Sequence, residues 1–321
     1  MSTTAGPLLA ADIEVERRTV RVQASFQLGS GERLALFGPS GAGKTTILES
    51  IAGLTRLSRG TVRIGGVLVA GRARGEVPLP PRRRQVAIVR QPTTLFPHLT
   101  ARENVEYGAR GSSSSVEALL ERLGLTAMAS AGAAALSGGQ RQRVALGRAL
   151  ASSFRVLLLD EPVSAVDVAA RAELRELAVE SATQRAAAGI LVTHDLAEAQ
   201  AFGGQLGIVD SGRVLEIGPS HEVVLRPAHR RVAELVGYGG FVPAAHGQLY
   251  AIHPDRALPG PMPDRGLVLT GTVRSVVPYG PRYECSLALG TSELLTVHLD
   301  EPPAVGAPCT ITALGPPIVA S

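Results

Sequence analysis

The residues Gly38-Pro39-Ser40-Gly41-Ala42-Gly43-Lys44-Thr45 match the pattern G-x-x-x-x-G-K-[ST], with a short apolar run before them and a helix-forming run after. Glycines at this spacing let successive backbone N–H groups turn toward one anion, and a helix starting there adds the positive end of its dipole. Lys44 would place a point charge between the β- and γ-phosphates of a nucleotide, and the Thr45 hydroxyl would ligate Mg2+. A plain Gly-rich loop would explain the composition alone; the strand before it and the helix after it favour the phosphate reading. A second constellation is Val156-Leu157-Leu158-Leu159-Asp160-Glu161-Pro162, an apolar strand that delivers two acids at its C-terminal end, where open α/β sheets bind ligands. Asp160 can then hold the Mg2+ shell, and Glu161 can polarise a water for attack on the γ-phosphate. In isolation the same residues read as a strand ending in solvated acids. The third is Leu136-Ser137-Gly138-Gly139-Gln140 ahead of the helical run RQRVALGRALA. A hydroxyl, exposed N–H groups and the helix dipole again make an anion site. As structure alone this is a capped helix start; as a phosphate site it cannot easily add to the first and points to another subunit's nucleotide.

Placing these groups takes strands that alternate with helices, the pattern of a largely parallel sheet covered on its faces. Leu34 to Phe37 reads as a short strand, and Thr45 to Ala52 as a helix stopped by Gly53. Val62 to Ile64 and Val67 to Val69 flank Gly65-Gly66, a two-residue hairpin signal. Ser114 with Glu117 predicts a capping box opening a helix to about Leu123. Val156 to Leu159 and Gly189 to Thr193 read as buried strands, and Ala169 to Gln184 as an exposed amphipathic helix. After about Gly237 the texture changes: GYGGFVPAAHGQ and ALPGPMPDRG are linker-like, and from Leu267 come short β-rich runs that suggest a small barrel of OB type. The expected division is 1–237, a linker and lead-in segment over 238–266, and 267–321.

Composition removes several classes. With 321 residues the chain is long enough for about two domains, and 45 % hydrophobic and 19 % charged residues argue against disorder. Cys285 and Cys309 cannot build a four-ligand zinc site or a disulfide framework, which suggests a reducing compartment. The start MSTTAGPLLAAD has neither a basic opening nor a long apolar run, so no secretion signal is expected. The uncharged stretches Leu123 to Gln140 and Leu235 to Ile252 are broken by Gly, Ser, Gln or Pro and do not read as membrane spans. A net charge of +4, and a run Arg82, Arg83, Arg84 without interleaved aromatics, read as a solvated basic face; no nucleic-acid partner is expected. Against 36 glycines and 22 prolines stand only 3 % aromatic residues, so binding must lean on the backbone more than on stacking platforms.

The Gly-rich loop, LSGGQ, LLLDEP, the SAVD at Ser164 to Asp167 and the VTHD around His194 together resemble the ATPase subunit of an ABC transporter, over about residues 10 to 236 and in the same order. The resemblance implies an α/β fold, a P-loop NTPase of the ABC ATPase kind with a helical subdomain over about 92–150, to which a small all-β OB-like barrel is appended. It implies a head-to-tail homodimer closing over two ATP molecules with Mg2+. Each nucleotide would be held by Gly38 to Thr46, including Thr46 itself, of one chain and by Ser137, Gly138, Gly139 and Gln140 of the other. It further implies that His194 contacts the γ-phosphate, that Gln91 reaches Mg2+ and water, and that Asp167 carries information across the dimer. The segment from Pro92 to Ala135 resembles the part that docks a membrane permease, which in turn receives a solute-binding protein. A peripheral place on the cytoplasmic face of the membrane follows from the same resemblance. His98, beside Phe96-Pro97, reads as a surface or docking residue.

The sequence also departs from the family pattern. Ile13 to Val22 holds no aromatic where many relatives stack a tyrosine on adenine; Arg17 or Arg18 could stack instead through its guanidinium plane, though solvent exposure is the plainer reading of both. Arg90 stands where relatives often have an apolar or aromatic residue, and SAVD replaces the commoner SALD. The PPRRRQV and LFPHLTARENVEYG stretches look most like ATPases of molybdate and related oxyanion importers, with iron, polyamine or sugar uptake as the alternative and, behind these, an ABC ATPase that does not serve transport. The C-terminal part is similar to the TOBE-like regulatory modules of such ATPases.

Overall fold

In the computed structural model, residues 6–16, 20–71, 77–109, 113–164, 166–290 and 293–320 are described. The side chains of residues 113–115, 168 and 169 fall outside that description. The chain forms two compact units, Met1–Ile217 and Gly218–Ser321.

The strands of the first sheet are β1 (Leu9–Glu16), β2 (Arg21–Leu28), β3 (Arg33–Phe37), β4 (Arg59–Ile64), β5 (Val67–Gly71), β6 (Val86–Val89), β7 (Val156–Asp160), β8 (Ala188–Thr193), β9 (Gln205–Asp210) and β10 (Arg213–Pro219). They lie in the order β5-β4-β1-β2-β10-β9-β3-β8-β7-β6. β6, β7, β8, β3 and β9 pair in parallel. Continuous apolar runs suit them, since β7 and β8 are buried at every position. The antiparallel wing β1, β2, β4, β5 alternates inward and outward along β1 and β2. Gly65 and Gly66 turn the β4–β5 hairpin with φ of 55° and 80°, as an I′ turn requires.

The helices of this unit are α1 (Lys44–Ala52), α2 (Ala101–Ala109), α3 (Ser113–Arg122), α4 (Gly138–Ala151), α5 (Val168–Gln184) and α6 (Leu196–Phe202). Thr100 and Glu103 cap the start of α2 reciprocally, the Thr100 N–H donating to Glu103 and the Glu103 N–H to the Thr100 hydroxyl. The expected cap at Ser114 involves a side chain outside the described residues, and Glu117 pairs with Arg102 of α2. α2 and α4 approach closely because residue 108 is glycine: a Cβ there would sit 2.1 Å from the Arg148 carbonyl oxygen. α5 buries Leu174, Leu177, Ala178, Ser181 and Ala182, one stripe at helical spacing.

The reading of Arg82 to Arg84 as a wholly solvated face is corrected at one position. Arg82 and Arg83 are exposed, but Arg84 is buried and donates to the carbonyls of Ser50 and Ile51 in the last turn of α1 and to that of Leu79. A guanidinium satisfies carbonyls that the end of a helix leaves open, and its charge suits the negative end of the dipole.

The second unit contains α7 (Ser220–Leu225), α8 (Arg230–Leu235) and eight strands, β11 (Gly240–Pro243), β12 (Leu249–Ile252), β13 (Ala257–Pro259), β14 (Gly266–Tyr279), β15 (Arg282–Leu289), β16 (Glu293–Leu299), β17 (Pro308–Leu314) and β18 (Ile318–Val319). A five-stranded antiparallel sheet runs β13-β17-β14-β15-β16 around Val273, Leu287, Leu295, Val297 and Ile311, compatible with a small OB-like module. β11-β12-β18 form a separate sheet. The segment 238–266, expected as linker and lead-in, contributes β11, β12 and β13. The composition change at Gly237 falls inside this unit, where Tyr238 bonds through its hydroxyl to the carbonyls of Val224 and Leu225.

Arg84→Met should cost about 2 to 3 kcal/mol, because carbonyls at the end of α1 lose a buried charged donor. Urea unfolding of the first unit measures it, with the exposed Arg83→Met expected within about 0.5 kcal/mol of the parent.

Candidate functional site

The Gly-rich loop joins β3 to α1 at the C-terminal edge of the parallel strands. Glycine is demanded at two of its positions by space and backbone angle. A Cβ on Gly38 would lie 1.9 Å from the Val209 carbonyl oxygen; Gly43, the N-cap of α1, has φ 101° and would press a Cβ to 2.9 Å from Val22. The loop is tied internally by Ala42 N–H to the Pro39 carbonyl and externally by Gly212 N–H to the Ala42 carbonyl. Ser40, Gly41 and Thr45 are exposed, and the Thr46 carbonyl accepts from Ser50 within α1.

Lys44 folds back so that its Nζ donates to the carbonyls of Gly38 at 2.6 Å and Pro39 at 2.8 Å. Burial holds its ammonium below the usual lysine range, an effect partly offset by the Glu161 and Asp160 carboxylates. Asp160 ends β7 with Thr45 Oγ1 donating to its Oδ1 at 3.2 Å. Burial pushes this carboxyl above the usual aspartate range, against the Thr45 hydrogen bond, while Glu161 and Glu49 push the same way as burial. A buried cation and a buried anion, each short of compensating charge, fit a polyanion carrying a divalent cation. The hydroxyl of Thr45 and the carboxylate of Asp160 are hard oxygen donors of the kind Mg2+ takes.

Glu161 follows in left-handed backbone, φ 46°, with its N–H donating to the Val192 carbonyl at 3.0 Å. That turn sends its side chain to His194, whose Nδ1 lies 2.9 Å from Glu161 Oε1. His194 follows β8 directly, so adjacent parallel strands deliver the acid and the imidazole to one edge. Gln91 lies just beyond β6, with its Nε2 donating to Ser164 Oγ at 3.3 Å; Ser164 in turn bonds the Glu161 carbonyl. The chain thus brings Thr45 to Asp160 and His194 to Glu161 directly, and Gln91 to Glu161 through Ser164.

Ser137 caps α4 in a complete capping box: its hydroxyl accepts from the Gln140 N–H and the Gln140 side chain accepts from the Ser137 N–H. Gly138 and Gly139 form the first turn, at the open positive end of the helix. Asp167 is the N-cap of α5, accepting from the Ala170 N–H at 3.0 Å. Sequence reasoning missed Gln142, which is buried on α4 and donates to the Glu161 carbonyl at 2.7 Å. Its only signal is its place two residues beyond the capping glutamine.

Beside the loop a cavity of about 470 Å³ is lined by Val20, Arg21, Gln23 and Arg213 together with Pro39 to Ala42. Arg17 and Arg18, the expected stacking residues, lie outside the described residues; Arg21 is engaged by Glu14 at 2.8 Å. A groove of about 650 Å³ runs between Val86 to Ile88 and the faces of α2 and α4. There Arg148 lies 5.1 Å from the Phe96 ring centroid, Phe96 and Tyr107 are 4.4 Å apart, and Tyr107 stands 63 % exposed. His98 borders the same aromatic group, 6.1 Å from Phe96. Among the described residues no cluster of His, Cys, Asp and Glu could hold a metal by itself, and no helix is long and apolar enough to cross a membrane.

Lys44 is the single lysine of the chain. Protein labelled with 13C-lysine should therefore give one side-chain signal, titrating below the ordinary lysine range because burial disfavours the ammonium. Tripolyphosphate should raise that titration, since its charge favours the protonated form; an unmoved curve would show that the loop holds no phosphate.

Residues 22–164 match the family described as ABC transporter. The Fe(3+) ions import ATP-binding protein of Mesorhizobium japonicum is 38 % identical, over 68 % of this chain and 62 % of the relative. A sulfate/thiosulfate import ATP-binding protein of Chromobacterium violaceum is 40 % identical, over 69 % and 60 %. A spermidine/putrescine import ATP-binding protein of Pseudomonas fluorescens is 38 % identical, over 70 % and 62 %. The chain spans about three fifths of the length of these curated relatives. Among solved structures, a dimeric post-hydrolysis state of an ATP-binding cassette bound to ADP and Pi superposes with a TM-score of 0.55 at 26 % identity, covering 66 % of this chain and 98 % of that one. The parallel sheet, the order of the motifs along it and the matched span give this chain the P-loop ABC ATPase fold.

Proposed function

We propose that this chain is the ATP-hydrolysing subunit of an ABC importer, working as a homodimer on the cytoplasmic face of the membrane. The observation that carries the reading is the convergence of Thr45 with Asp160 and of His194 with Glu161 at one sheet edge, beside a lysine-bearing anion loop. The N–H groups from Gly38 to Thr46 bind the β- and γ-phosphates, and Lys44 exchanges the carbonyls of Gly38 and Pro39 for phosphate oxygens. Thr45, Asp160 and Gln91 would hold Mg2+, which would supply neutralisation of the charge that develops on the phosphates. Glu161 takes the proton of a water whose oxygen attacks the γ-phosphorus as the bond to the β–γ bridging oxygen breaks, yielding ADP and phosphate. His194 holds the Glu161 carboxylate in place and faces the γ-phosphate. A second copy supplies Ser137, Gly138, Gly139 and Gln140 from the opposite side, at the open end of its α4, and Asp167 sits at the dimer contact.

The groove at Phe96, Tyr107 and Arg148 suits a permease segment with an apolar face, and through the permease a solute-binding protein. An oxyanion such as molybdate is the proposed cargo, favoured by the basic PPRRRQV and LFPHLTARENVEYG stretches and by the likeness to a sulfate/thiosulfate import protein. The similar likeness to iron and polyamine import proteins favours those cargoes as the second reading. The C-terminal OB-like unit is assigned a regulatory, TOBE-like role. Reconstitution with the permease, followed by ATPase assays with binding proteins loaded with molybdate, sulfate, Fe3+ or spermidine, decides among them by which one stimulates turnover.

Glu161→Gln should lower hydrolysis by about a hundredfold or more, the usual worth of a general base, while ATP affinity stays near the parent value. Light scattering with MgATP should then show the variant accumulating as a dimer. Hydrolysis at the parental rate would remove Glu161 from its role.

A further inference from the structure

Arg90 is the residue between β6 and Gln91, and its Nη2 lies 2.7 Å from Oε1 of Glu49 on α1. The Glu49 side chain is only 14 % exposed, and its other oxygen accepts from the Thr55 hydroxyl at 2.8 Å. One carboxylate therefore joins three segments: the helix that starts at the phosphate loop, the turn that follows it, and the strand end that leads into Gln91. The last turn of that helix is closed independently by Arg84, so the Glu49–Arg90 pair is not needed to finish it. An ion pair whose arginine is 42 % exposed adds little to stability, and what a short Arg–carboxylate contact adds is geometry. From Gln91 the bonds continue to Ser164 and to the Glu161 carbonyl.

We infer that the Glu49–Arg90 pair positions Gln91, locking the end of β6 to α1 so that nucleotide capture at the start of α1 and the placement of Gln91 move together. The inference rests on the ATPase reading above. Neither side chain belongs to the phosphate loop or to the Glu161–His194 pair, so both are positioning residues. Loss of the pair leaves phosphate binding in place and misplaces Gln91, a fault that appears in turnover.

The test is steady-state MgATP hydrolysis by the full chain. Arg90→Met should lower kcat about tenfold. Its KM should stay within about twofold, and Arg90→Lys should recover most of the loss. Glu49→Arg and Arg90→Glu should each be impaired, and their combination should regain part of the activity. A second readout needs no turnover: in hydrogen exchange, MgATP should protect the backbone around Gln91 in the parent and fail to do so in Arg90→Met. Parental kcat and protection in Arg90→Met, or kcat and KM changing together without recovery by lysine, would overturn the inference. If the parent shows no hydrolysis that Glu161→Gln abolishes, the ATPase reading itself fails and the inference falls with it; an active parent matched by Arg90→Met removes the inference alone.

Discussion

In the proposed reading, anion capture by backbone N–H groups at the start of α1 is the interaction on which the other features depend. It requires a helix aimed at the ligand, a loop without side chains in its way, and a helix end that does not fray when its dipole is used. The first is supplied by β3, buried along its apolar stretch, and the second by Gly38 and Gly43, where a Cβ would meet the Val209 carbonyl or Val22. The third is supplied by Arg84, which closes the last turn of α1 from the far side. The same helix therefore carries positive potential at one end and meets a fixed cation at the other.

Charge is arranged inside the site so that neither sign is comfortable alone. Burial weakens the ammonium of Lys44 and the carboxylate of Asp160, and each is only partly repaid by the other. Such a pair is poorly satisfied as an internal salt bridge; Lys44 bonds loop carbonyls instead, and Asp160 takes the Thr45 hydroxyl. In the proposed reading, a phosphate chain bearing a divalent cation would supply both missing charges at once. Of the 32 Lys and Arg residues, every one but Lys44 is arginine. At position 44 a compact ammonium on a flexible stem can turn from carbonyl to phosphate, which a planar guanidinium does less readily.

That Thr45 meets Asp160 and His194 meets Glu161 at one sheet edge was legible because the motifs are local: loop, strand end and helix start each occupy a few consecutive residues. What escaped is what local spacing cannot encode. Arg84 sits in a basic run, and nothing in that run distinguishes the residue that turns inward to α1. Gln142 lies on a helix whose start was evident, yet its bond to the Glu161 carbonyl depends on how α4 meets the end of β7. In the second unit, β11 to β13 were hidden in Gly- and Pro-rich sequence. At residue 240 glycine suits the close packing of strands, since a Cβ would come within 2.5 Å of the Leu295 side-chain end and 3.0 Å of its Cα.

Scarcity of aromatic side chains takes on a definite meaning at the cavity beside the loop. Besides the loop itself, its walls are Val20, Arg21, Gln23, Asp210, Ser211 and Arg213, which offer an aliphatic face and hydrogen-bonding groups of both kinds rather than a ring. Arg21 is held by Glu14, so its guanidinium is oriented before any ligand arrives. A base entering this space in the proposed reading would meet donors, acceptors and an aliphatic wall, with less stacking than an aromatic platform gives. The phosphates then carry a larger share of the binding, which places a correspondingly greater demand on the loop's backbone geometry. In that reading the recognition surface at the loop is the peptide unit, with Gly38, Gly41 and Gly43 leaving it uncovered and the surrounding side chains keeping it aimed.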